Sequence, residues 1–435
     1  MSLTILAVTG LAIMIVCILM GMNVGMSMLV IGFAGLCAVK GWRGALGILR
    51  QVPVTQAATY SFTVIPMFVL MGNAAFKSGV SDGLFNAADK WLSRVPGNYA
   101  CSSVVASAIF GAICGSTVAT TATIGTVALP KMKQAGYADK LAAGAICVGG
   151  GIGIMIPPST PMIVYGVATE NSVGKLFAAG VFPGILMTAI ICLQIVLMIR
   201  LDPTLAPAGY KCPWKERFIA LKGLVGIVIL FGIVLGGMFA GFFTVNEAAA
   251  VGAVCAILMM VVKRTFTFKN FKAIVIDTVS STGMVFMLMI GATVFGSFLT
   301  VTKLPAALAD WVSALEVSRY VILALIVLAY FFLGMIMDAL PMILLTIPIF
   351  YPIISGLGFD TIWFGIILIL VVDLGVITPP VGINCYIMAG MAKDIPLTTI
   401  FRGAVPFVVA LLLTIVLVTV FPGIATWLPS VVHGA

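Results

Sequence analysis

Apolar runs of about 20 residues, separated by short polar stretches, recur along the whole 435-residue chain. At 1.5 Å per residue, runs of that length cross a bilayer as helices. Residues 3–20 and 26–39 open the series, and an amphipathic stretch at 42–51, with Arg43 and Arg50, reads as lying along the membrane surface. Residues 62–76 are a further apolar segment, and 78–98, carrying Asp82, Asp89, Lys90 and Arg94, reads as a loop. Plain spans are expected at 176–199, 223–241, 244–262, 273–300 and 400–421.

Interruptions inside the apolar runs carry more information than the runs. GIMIPPSTP at 153–161 returns as GVITPPVGI at 375–383, with Pro157 and Pro379 222 positions apart. Paired prolines behind a glycine break a helix, because each lacks an N–H and clashes with the preceding turn. Broken helices are therefore expected at 141–168 and 362–391. Ahead of the first lies 99–129, with GAICGSTVATTATIG at 111–125. It reads either as one long tilted helix with small residues on a packing face, or as a re-entrant hairpin with its tip at 115–117. Arg94 before it and Lys131, Lys133 and Lys140 after it suit the hairpin, whose two ends face one compartment. Residues 321–354, with Gly334, Asp338 and Ala339 at the centre, repeat it in place and punctuation. Leu129-Pro130 answers to Tyr351-Pro352, and Gly136-Tyr137 to Gly358-Phe359.

Five crossings lie between the two hairpins, an odd number, so the repeat is inverted. That topology places 17 of the 23 Lys and Arg on the cytoplasmic side, as the positive-inside rule requires, with Arg43 and Arg50 fitting it least well. The chain then divides into scaffold helices with an interfacial helix (1–76), a first hairpin and broken helix (77–174), connecting scaffold helices (175–318), a second hairpin and broken helix (319–395), and a C-terminal helix and tail (396–435).

Composition agrees with a polytopic all-α membrane protein: 62% of residues are hydrophobic and 9% charged, against roughly 25% charged in soluble domains. The net charge of +9 resides mostly in loops on one side, which is a topology signal and excludes nucleic acid as a partner. Nine scattered cysteines form no CxxC pair and read as small packing residues. The single histidine, His433, leaves no imidazole site for a metal or for Ser-His or Cys-His catalysis. Met1, Ser2 and Leu3 bring no basic n-region, so the first run is expected to be a retained helix and not a signal peptide.

The breaks expose backbone carbonyls at 153–158 and 375–380, and carbonyls with a few hydroxyls suit Na⁺. Half-helix N-termini offer N–H groups and a positive dipole end to a carboxylate. Thr378, Ser116 and Thr117 supply hydroxyls, and Gly111, Gly153, Gly334 and Gly375 permit close backbone approach. Asp338 and Asp373 sit deep in apolar runs; an intramembrane carboxylate is functional or caps a half-helix, and either reading is open here. Asn384 is a ligand or cap, and Glu247 an interfacial charge at a span's start. With no Walker, haem or metal motif, the energy source is an ion gradient. An integral-membrane enzyme lacks its histidine base and paired carboxylates, and breaks in register do not suit a passive structural subunit.

At these residues the chain resembles the large membrane subunit of the TRAP (tripartite ATP-independent periplasmic) transporters. PMFVLMGNAAF at 66–76, FGAICGSTVATTATIG at 110–125, GIGIMIPPSTPMIVYGVATENSVGKLFAAGVFPG at 151–184, LGMIMDALPMILLTIP at 333–348 and DLGVITPPVGINCYIMAG at 373–390 carry the resemblance, in family order. It implies a Na⁺-driven importer of organic acids, such as sialic acid or C4-dicarboxylates, in the bacterial inner membrane, with no cofactor beyond the coupling ion. It implies two partners: a soluble periplasmic binding protein and a small four-helix membrane subunit, here expected as a separate chain. It implies elevator-type architecture with one Na⁺ site at Gly111, Gly153, Ile156 and Pro158 and another at Gly334, Gly375, Thr378 and Val381. Substrate is implied near Ser116, Thr117, Ser159, Asp338 and Asn384. A stand-alone Na⁺/dicarboxylate symporter is the alternative.

Overall fold

The structure, a computed structural model, describes residues 3–314 and 317–433, and every element among them is helical. Met1 and Ser2, on which the reading of the N-terminus leaned, lie outside the described residues. Among the described residues, seven helices are long and apolar enough to cross a bilayer. One of the seven is the second hairpin's arm Ala339–Gly356; the other hairpin arms and the half-helices expected from the sequence are separate elements outside that set.

The first hairpin is Asn98–Cys114 and Thr117–Gln134, so 99–129 is not one tilted helix. Gly115 makes the turn in the left-handed region (φ 59°), which a side chain disfavours. The first broken helix is Asp139–Ile152 and Thr160–Ala168. The second hairpin is Arg319–Gly334 and Ala339–Gly356, and the second broken helix Thr361–Gly375 and Ile383–Met391. Both Pro-Pro bonds, Pro157-Pro158 and Pro379-Pro380, are cis. Between the hairpins the chain runs through the first broken helix and four long spans, Val173–Leu201, Trp214–Phe239, Val245–Val262 and Phe268–Val301, which keeps the odd count and the inversion.

Three local expectations change. Residues 78–98 are not a loop: Val80–Leu92 is a helix, meeting the helices before it at 70°. Its charges masked a spacing of Val80, Leu84 and Ala88 that buries one face. The surface stretch at 42–51 extends to Ala58, set off from the preceding span by Gly41 at φ 74°. The segment 400–421 is stepped at Pro406 into Leu397–Ala404 and Phe407–Val420, and a further helix, Gly423–His433, follows.

The helix contacts fall into two main sets, or bodies, joined where Val64–Lys77 and Phe268–Val301 meet the hairpin arms. In one, Val24–Ala58 lies along Phe268–Val301, and Val64–Lys77 lies against Val245–Val262 and Phe268–Val301. Small residues make the seam: a Cβ on Gly32 would stand 2.7 Å from Phe295 Cα, and one on Gly291 2.2 Å from the Gly25 carbonyl oxygen. Helices in lipid gain no hydrophobic drive toward each other, so such close backbone packing carries the association. In the other body both broken helices and the first hairpin's arms are wrapped by Val173–Leu201 and by the helices after residue 397. There Cys101 Sγ and Cys192 Sγ each donate to the other's carbonyl, at 3.8 and 3.9 Å. Gln194 donates to Pro406 O at 2.5 Å and the Trp363 indole to Val418 O at 2.9 Å.

Candidate functional site

Each hairpin tip meets the break of its own half through a pair of glycines. In the first half, a Cβ on Gly111 would stand 2.1 Å from Gly153 Cα, so the two backbones touch. Thr120 Oγ1 lies 3.1 Å from the Cβ position of either glycine. In the second half, a Cβ on Gly375 would stand 2.5 Å from Gly334 C. The second tip is also bonded to its break: Val381 N donates to Met335 O at 3.3 Å. Thr378 spends its proton on Leu374 O at 2.6 Å, which leaves oxygen lone pairs for another partner. The Ile156 side chain is committed to Gly184, so only its main chain is available. Pro158 O lies 3.6 Å from the Cβ position on Gly115, which ties the first break to the tip as well.

A cavity of about 170 Å³ lies between the two tips. Gly115, Ser116 and Thr117 line it from the first tip, and Asp338 and Ala339 from the second. Asn73 and Ser281 reach it from the other body. Three helices begin at its wall, at Thr117, Thr160 and Ala339. Their first-turn N–H groups and dipole ends favour an anion. Among the described residues, the only charged side chain in the lining is Asp338. Its carboxylate accepts from Ala339 N at 2.8 Å, so it does cap its half-hairpin while still facing the cavity.

The expected substrate residues thus separate. Ser116, Thr117 and Asp338 come together on the cavity. Ser159 is fully buried, donating to Ile154 O at 2.5 Å and capping the Thr160–Ala168 half-helix through Met162 N. Asn384 is also fully buried and donates to Cys147 O at 3.0 Å, away from the cavity lining. In the sequence Thr120 stands out within a polar cluster at 115–123 but carries no assigned role, and sequence reasoning missed Asn73 and Ser281. Both carried a signal, since each is polar in an apolar run, but only packing shows which polar residues share a wall. Glu247 forms a capping box with Thr244 at the start of its span, as an interfacial charge would.

Paired hairpins and breaks around a polar cavity are a transporter's arrangement. Residues 11–424 match the profile of the family described as "Tripartite ATP-independent periplasmic transporter, DctM component". The chain belongs to this TRAP transporter family. As a DctM-type permease it is a transport subunit and not an enzyme. It is 34% identical to the C4-dicarboxylate TRAP transporter large permease protein DctM of Pseudomonas aeruginosa, over 85% of this chain and 86% of that one. It is 32% identical to the sialic acid TRAP transporter large permease protein SiaM of Vibrio cholerae, over 95% and 96%. The fold is shared with the solved YdaH transporter of Alcanivorax borkumensis, with a TM-score of 0.63 and 17% identity over 87% of this chain and 89% of that one. The permease is therefore a multi-pass membrane protein with the fold of a known transporter.

Proposed function

We propose that this chain is the Na⁺-coupled translocating subunit of an organic-acid importer in the bacterial inner membrane. The observation that carries the reading is the polar cavity between the tips, where three helix N-termini converge beside two glycine-paired breaks. With no Lys or Arg in its lining, the cavity would hold a carboxylate by N–H groups and hydroxyls. The relatives named for C4-dicarboxylate and for sialic acid both handle carboxylated compounds, which supports that class. Na⁺ would be held by main-chain carbonyls at Gly111, Gly153, Ile156 and Pro158 in one site, and in the other by those at Gly334, Gly375 and Val381 with the Thr378 hydroxyl oxygen. Filling these sites would draw tips and breaks together around the substrate. The hairpin-and-break body would then slide against the other body in an elevator cycle. A periplasmic binding protein would deliver the substrate, and a small membrane subunit would complete the complex.

The test is uptake into proteoliposomes holding this chain and its small subunit, with the cognate binding protein outside. Uptake should require the binding protein and an inward Na⁺ gradient. Equal uptake with choline in place of Na⁺ would overturn the coupling, and full uptake without the binding protein would favour the stand-alone symporter.

Two substitutions probe the sites. Thr378→Ala should raise the Na⁺ concentration for half-maximal uptake by roughly tenfold, the usual scale for losing one ligand-shell partner. Unchanged Na⁺ activation in a folded variant would remove Thr378 from the second site. Asp338→Asn separates the two roles of that residue, since Asn caps a helix about as well as Asp. Thermal unfolding should barely move while uptake falls sharply. Full uptake would leave Asp338 a cap alone.

A further inference from the structure

Asp373 is 1% exposed, and neither of its carboxylate oxygens has a hydrogen-bond partner. No ion pair among the described residues involves it. A buried carboxylate without donors is costly, so a group of this kind persists where something cationic meets it. Asn384 presents the same condition. Its amide N–H₂ is fixed on Cys147 O, and its oxygen has no partner.

The two side chains leave the second break from opposite ends, yet both seat on the first broken helix. Asp373 Oδ1 lies 3.0 Å from the place where a Cβ on Gly151 would stand. Cys147 is four residues before Gly151, so both contacts fall on one face of Asp139–Ile152, a turn apart. Three acceptor oxygens without a donor therefore sit along one helical turn. A proton shared between Asp373 and Asn384 would still leave the second carboxylate oxygen unpartnered. A small hard cation against the Asp373 carboxylate meets both of its oxygens, with the Asn384 oxygen about one turn along the same helix.

The position is also special. Asp373 and Gly151 are counterparts in the repeat, 222 positions apart, and they touch each other. Counterparts related by a two-fold operation meet only at its axis. Ser116 and Asp338, also 222 apart, likewise line one cavity.

We propose that Asp373 and Asn384 form a further Na⁺ site on this pseudo-two-fold axis, separate from the two sites at the tips. Its ligands come from the second repeat, and it lies against the first broken helix between Cys147 and Gly151. The inference rests on the Na⁺-coupled reading above.

The test is thermal unfolding of the purified full-length chain, titrated with NaCl against choline chloride at constant ionic strength. Ligand binding to the folded state stabilises it by RT ln(1 + L/Kd) per site, with L the free ligand concentration, and raises the unfolding temperature accordingly. Wild type should be stabilised by Na⁺. Without Na⁺, Asp373→Asn should unfold at a higher temperature than wild type, because a lone buried charge is gone. Its response to Na⁺ should be shallower and shifted to about tenfold higher concentration. Gly151→Ala, which fills the space beside the carboxylate, should shift the response the same way and serves if Asp373→Asn does not fold. A Na⁺ response in folded variants identical to wild type would overturn the site, including the case in which only their pH dependence of unfolding changes. A wild type indifferent to Na⁺ would overturn the coupled reading itself, and this site with it.

Discussion

Gly111→Ala is expected to abolish uptake while the protein still inserts in the membrane. Gly111 lies within a helix, where alanine is favoured over glycine by about 1 kcal/mol. Propensity alone would make the change stabilising. The added Cβ, however, would stand 2.1 Å from Gly153 Cα, against backbone that no rotamer change can move aside. Overpacking of this kind costs about 1–3 kcal/mol or more, so the clash wins. Tip and break must then part, and the carbonyls proposed to hold Na⁺ part with them. Gly111→Ser should behave alike. Uptake near wild-type level in either variant would mean that the close approach of these backbones is not needed for transport.

Gly403→Ala is expected to lower the unfolding temperature by several degrees. Its Cβ would stand 1.7 Å from Lys140 O, again main chain. The reverse contact is as tight, with a Cβ on Gly144 2.1 Å from Gly403 O. Leu397–Ala404 and Asp139–Ile152 would have to separate along their seam, which costs at least about 3 kcal/mol at the upper end of overpacking. Gly390→Ala, with nothing within 4 Å of its Cβ position in the helix Ile383–Met391, is the control and should be neutral to slightly stabilising. Equal effects of the two would remove the steric explanation.

Much of this fold was legible because a membrane makes the pattern coarse. Proline pairs in apolar runs marked both breaks, and the punctuation around Gly115 and Asp338 marked both tips. The glycines at 111, 153, 334 and 375 were legible as candidates, and the structure adds which of them touch. What stayed hidden had a common cause. The helix Val80–Leu92 is amphipathic and charged, so hydropathy alone reads it as a loop. Asn384 and Ser159 are polar and near the breaks, and nothing in sequence distance shows that their side chains turn to Cys147 and Ile154. The meeting of Gly151 with Asp373 is tertiary, and only the repeat spacing hinted at it.

The hydrogen bond from Val381 N to Met335 O makes the two tips unequal in the proposed cycle. Among the described residues, no such bond joins the first tip to its break, where the glycines meet by contact alone. Withdrawing the second tip would strand a donor and an acceptor, at about 1–3 kcal/mol if they stay dry. Withdrawing the first tip forfeits only dispersion. If the tips part from their breaks in the proposed cycle, only the second gives up a main-chain hydrogen bond of this kind.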